Sequence, residues 1–161
     1  MEERRPIPHG ASAGIVAGLA VIVIFFLYDV VRMTPLATPF ELAGVLFGTE
    51  GPGTGLSGTG RLAAIASALF RMLAYTGFHF LVFAALGAAA VAFFDRLKLP
   101  LNVVTGAVYG LVVCTAVLYA AFSLVWSGVS APSLTGVLLA NGVAGVVLAL
   151  RLQPSASTES T

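Results

Sequence analysis

Four long stretches of this chain carry no charged residue: Gly10 to Tyr28, Met72 to Phe94, Leu101 to Ser127 and Ala131 to Leu150. A helix needs about 20 apolar residues to cross a hydrocarbon core of about 30 Å, and each stretch meets that length. The runs are continuous rather than alternating, which excludes barrel strands, and an open sheet edge is forbidden in lipid. Composition makes the same demand. Hydrophobic residues are 58% of the 161 and charged residues 9%, where a water-soluble domain has about a quarter charged. A globule so poor in charge could not cover its surface with polar groups. Eight Lys and Arg against seven Asp and Glu nearly cancel, so no basic face is offered to nucleic acid. The expected fold is all-α: a polytopic membrane protein, one four-transmembrane-helix bundle over 1–152. Its helices fall at about 10–31, 72–94, 101–127 and 131–150, and its first partner is the lipid bilayer.

Arg4 and Arg5 precede the first run, as they would a secretory signal. That run is longer than a signal's apolar region, and no A-x-A site follows it, so it is read as a retained helix. Four crossings put both termini and the loop after the second helix on one side. That side holds Arg4, Arg5, Arg96, Lys98 and Arg151; the other holds Arg32, Arg61 and Arg71. The excess predicts cytoplasmic termini and an outer loop over 32–71. The lone Cys114 lies inside the third run and reads as an inert core thiol. The polar tail 153–161 has no apolar anchor and is expected to be disordered.

The outer loop carries most of the punctuation. Thr38-Pro39-Phe40-Glu41 has the form of a capping box with proline at the first helical position. It predicts a short helix over 39–47, stopped by Gly48, too short to span and lying at the outer interface as a lid or a plain linker. In the glycine-rich GTEGPGTGLSGTG that follows, Gly53, Gly55 and Gly58 satisfy G-x-G-x-x-G. No predicted strand precedes them and no Lys stands where a phosphate loop needs one, so the stretch reads as a solvated loop. Over 61–71, Leu62, Ile65 and Leu69 share one face with Arg61, Ser67 and Arg71 opposite, an amphipathic lead-in to the second membrane helix.

Transmembrane helices associate through close packing of small residues. Four-residue spacings of this kind occur at Gly10, Gly14 and Gly18, at Gly106 and Gly110, and at Gly136, Ala140 and Ala144. They fit internal packing and dimerisation equally well. Ionisable and polar groups at membrane depth are costly, and each is a functional hypothesis. Antiparallel counting places Asp29, Arg32, Arg71, Tyr75, His79, Tyr119 and Asn141 in the outer half, while the inner half offers little beyond Asn102, Thr105 and Tyr109. His79 is the central member, with Asn141 or Asp29 as its expected hydrogen-bond partner. The cluster could lock the helices together, conduct a proton or solute, or ligate a cofactor. One chain cannot supply a bis-histidine haem, since His9 lies at the opposite face. A dimer pairing two His79 residues, or a single-ligand pigment, stays open, and the cofactor is unknown. No second histidine or cysteine stands at zinc-ligand spacing, and no nucleophile elbow, H-E-x-x-H or paired catalytic carboxylates are present.

The stretches GIVAGLAVIVIFFLYDVVRMTPLATPFELAGVLFG, YTGFHFLVFAALG and LLANGVAGVVLAL together resemble a group of small four-helix bacterial inner-membrane proteins. In that group an Asp ends helix one, a Pro-x-x-Thr-Pro run follows, an aromatic-flanked His lies in helix two, and an Asn sits in a small-residue helix four. Asp29, Pro35, Thr38, Pro39, His79 and Asn141 are the matching positions here. The resemblance implies the bundle and an inner-membrane location, and it carries no activity. The expected function is a non-enzymatic membrane protein, an accessory or structural subunit of a larger membrane complex or a homo-oligomer. A small transporter or channel built on the outer polar cluster is the alternative.

Overall fold

The structure is a computed structural model and describes residues 7–47, 58–125 and 133–153. These residues form helices and connecting turns, with no strand among them. Helix α1 spans Ile7–Val31, α2 Ala37–Phe47, α3 Gly58–Leu97, α4 Val103–Tyr109, α5 Thr115–Val125 and α6 Leu134–Leu152. A π-helical turn, Gly110–Cys114, joins α4 to α5. Among the described residues, four units are long and apolar enough to cross a membrane: α1, α3, the α4–α5 unit and α6. The stretches 48–57, 126–132 and 154–161 lie outside the described residues, and with them Gly53, Gly55 and all but the first residue of the polar tail.

The lead-in at 61–71 and the crossing at 72–94 form one uninterrupted helix. With 40 residues, α3 is about 60 Å long, twice the thickness of a hydrocarbon core. The third run is also one continuous helix, but a π turn changes its hydrogen-bond pattern near the middle.

Two helices stop without the glycine that usually ends one. After α1, Met33 takes a positive φ of 59°. Its N–H donates to the Val30 carbonyl at 3.0 Å, and the Thr34 N–H donates to the Asp29 carbonyl at 2.9 Å. This pair of bonds is the Schellman closure. After α3, Lys98 takes a φ of 51°, the Leu99 N–H donates to the Phe94 carbonyl at 3.1 Å, and Pro100 prevents continuation. Between α1 and α2, a tight turn through Pro35 and Leu36 (φ 67°) leads into α2.

Helix α2 begins two residues before the expected Pro39, so Thr38 sits inside its first turn rather than at the cap. The Thr38 amide and hydroxyl both donate to the buried Asp29 carboxylate, at 2.8 and 2.6 Å. Glu41 is exposed. The predicted Thr38–Glu41 box is therefore corrected: a carboxylate from α1 outcompetes it, because a charged acceptor bonds the N-terminal amides of a helix more strongly than a hydroxyl does. A capping box does form at α4. There the Asn102 side chain accepts from the Thr105 N–H and the Thr105 hydroxyl accepts from the Asn102 N–H, each at 3.0 Å.

The bundle is held by two antiparallel seams in which backbones touch. Along α1 and α3, a β-carbon added at Gly10 or Gly14 would strike the carbonyl of Gly87 or Phe83, and one at Gly87 would strike that of Gly10. Along α4 and α6, Gly106 faces the Gly145 carbonyl, Gly110 the Asn141 carbonyl and Gly145 the Gly106 carbonyl. At each of these positions a glycine α-hydrogen points at a carbonyl across the seam, the recurring geometry of a weak C–H···O contact. Close approach of this kind suits a bundle whose helices gain little from burial in lipid. Gly14, Gly18, Gly106 and Gly110 are thereby committed to internal packing. Ala140 and Ala144 are buried at 0% and 2% exposure, and Gly136 lies near Phe25 of α1.

Candidate functional site

Four polar side chains within the helices join neighbouring elements, while Ser12, Thr76 and Ser123 bond carbonyls of their own helix. Asp29 ties α1 to α2 through Thr38. His79 Nε2 lies 3.0 Å from the Gly18 carbonyl, tying α3 to α1. The Tyr109 hydroxyl donates to the Leu86 carbonyl at 2.9 Å, tying α4 to α3. Asn141 Nδ2 donates to the Thr115 hydroxyl at 3.1 Å, tying α6 to α5. These bonds connect α2 to α1, α1 to α3, α3 to α4 and α5 to α6. Among the described residues, no buried side-chain nitrogen or oxygen lacks a partner, as the cost of an orphaned polar group in an apolar interior requires.

His79 does pair with another helix, but not with Asn141 or Asp29. Its partner is a backbone carbonyl, which is already bonded along its own helix and uses a second lone pair. Gly18 has no side chain to shield that carbonyl, and the imidazole reaches it beside Phe83, whose ring centroid is 4.7 Å from its own.

The expected outer cluster separates into groups. Tyr75, His79 and Asn141 line one cavity of about 240 Å³ enclosed by α1, α2, α3, α5 and α6. Asp29 lies beneath the α1–α2 turn. Arg32 is exposed and stacks at 5.4 Å over Tyr28, donating to its hydroxyl at 2.9 Å. Arg71 and Tyr119 are half-buried and outside the cavity wall. The three cavity members have aromatic and aliphatic company: Phe25, Phe78, Phe83 and Phe122 supply rings, and Leu42, Val45 and Leu46 of α2 close one side.

The π turn shapes this wall. One extra residue in a helical turn rotates the face that follows by about 100°. Here the turn ends on Cys114, which is buried against the cavity, and the next residue, Thr115, meets Asn141. Such turns recur at functional sites.

Residues that sequence reasoning passed over include Gly87 and Gly145, the far sides of the two seams, and Thr115. A signal for one of them was present: Asn141, Gly145 and Ala149 repeat at four-residue spacing, one step round from the Gly136, Ala140 and Ala144 set. Among the described residues, no group of three His, Cys, Asp or Glu side chains could hold a metal ion. Compared with models of protein families, curated proteins and solved structures, the chain matches none of them.

Proposed function

We propose that this chain is a non-enzymatic integral membrane protein, an accessory or structural subunit that packs against other membrane proteins or against itself. It resides in a bacterial inner membrane with both termini cytoplasmic and α2 at the outer interface. The observation that carries this reading is the chain of side-chain hydrogen bonds from α2 to α6, in which Asp29, His79, Tyr109 and Asn141 each bind a neighbouring element. A conducting path needs polar groups lined up along a cavity, whereas the cavity here is walled mostly by hydrocarbon and rings.

The length of α3 supplies a docking element. Its first turns extend well past what a crossing needs, and Leu62, Ile65 and Leu69 on one face are 70%, 53% and 53% exposed. A photo-crosslinking residue placed at Ile65 in cells, followed by mild-detergent extraction and native mass spectrometry, tests the proposal. A protein adduct at a fixed stoichiometry, either a second copy or a distinct membrane subunit, is expected. A monomer carrying lipid adducts alone would overturn it.

A further inference from the structure

Beyond a structural role, we infer that the cavity at His79 is a binding site for a hydroxylated aromatic ring with an apolar tail, the chemistry of an isoprenoid quinol. The argument begins with the tautomer. A carbonyl only accepts, so the Nε2 that faces the Gly18 carbonyl carries the proton, and Nδ1 keeps a lone pair. Asn141 donates to Thr115 through its amide nitrogen and keeps its side-chain oxygen as an acceptor. Among the described residues, neither Nδ1 nor that oxygen has a partner, and the Tyr75 hydroxyl has none either. All three residues line the cavity, and none of these atoms is sealed off in protein. The site therefore offers two acceptors and a hydroxyl to whatever enters, which selects a ligand that donates.

Size and wall chemistry narrow the class. An apolar cavity of roughly 150 Å³ holds a benzene ring. At about 240 Å³, this one takes a substituted single ring and the first carbons of a tail, and a fused four-ring sterol is too large. Aromatic rings pack edge-to-face or offset against one another, and Phe25, Phe78, Phe83 and Phe122 surround the space. A plain acyl chain would fill the volume but leave the two acceptors without a donor. The cavity is partly open, which leaves room for a tail to extend out of it.

The test uses the purified full chain in detergent micelles, titrated by equilibrium dialysis with 2-decylhydroquinone and, in parallel, with decylbenzene. These probes share ring and tail and differ only in the hydroxyls. Saturable one-to-one binding of decylhydroquinone, at least tenfold tighter than decylbenzene, is expected. Tyr75→Phe keeps the ring and should weaken binding several-fold. Ala121→Phe fills the cavity from α5 and should abolish it, with helicity and elution volume unchanged. Should Ala121→Phe fail to fold, an azido derivative of decylhydroquinone on the unmodified chain takes its place and must label the walls from α2, α3 or α5. Equal binding of the two probes would overturn the inference and make the cavity a seat for a lipid chain. Non-saturable binding to the folded chain, unaltered binding by folded Ala121→Phe, or labelling elsewhere would overturn it too. None of these outcomes bears on subunit association, which the cross-link at Ile65 reads separately.

Discussion

Asp29 is the most consequential single side chain outside the cavity. The residue is 2% exposed, and its carboxylate accepts from both the amide and the hydroxyl of Thr38. Hydrogen bonds to a charged group contribute about 1.5–3 kcal/mol. Asp29→Ala should therefore destabilise the bundle by about 2–3 kcal/mol, measured by detergent-denaturation midpoint, and speed amide exchange across α2. Thr38→Val, which keeps the amide bond and removes the hydroxyl, should cost about half as much. If both variants unfold at the wild-type midpoint, the carboxylate is not holding α2. That Asp29, His79 and Asn141 matter was legible, because polar groups in hydrophobic runs stand out. Their partners were not. The His79 bond ends on the carbonyl of Gly18, as that of Tyr109 ends on Leu86, and every residue has a carbonyl, so no sequence pattern marks the one a side chain will find.

At the level of the element, glycine has opposite meanings on different helices. A β-carbon at Gly110 would meet the Asn141 backbone, whereas one at Gly77 would meet nothing within 4 Å. Gly110→Ala should cost about 1–3 kcal/mol through forced separation of α4 and α6. Gly77→Ala should stabilise α3 by about 0.5–1 kcal/mol by reducing backbone freedom in the unfolded chain. Melting temperatures of the two variants must move in opposite directions. The end of α1 allows a third change. Met33 sits in the left-handed region at φ 59°, where a β-carbon costs about 1–2 kcal/mol, so Met33→Gly should raise the melting temperature by a few degrees. Helix positions were readable from uncharged runs because a spanning helix needs about 20 apolar residues, but the 40-residue length of α3 was not, since its first turns carry Arg61 and Arg71. The π turn was not: Gly110 to Cys114 contains no proline or charge to announce it, and it arises where α4 leaves the tight glycine seam. The capping motif at Thr38 was misplaced because its competitor lies nine residues away, beyond the reach of a local pattern.

On the scale of the whole molecule, an even number of crossings puts both termini at one end of the bundle and α2 at the other. Reporter fusions should show a cytoplasmic C-terminus and an external insertion at Gly53; an external C-terminus would invert the assigned orientation. The arrangement of the seams has a consequence for biosynthesis. Each seam joins successive crossings, α1 with α3 and the α4–α5 unit with α6. The first hairpin can thus close while the ribosome is still translating the second half, and no crossing must wait for a partner separated from it by another span. The last event is then the meeting of two finished hairpins, where α6 comes to rest against α1 with Gly136 beside Phe25. In a chain built in this order the cavity, whose walls come from both hairpins, does not exist until that docking is complete.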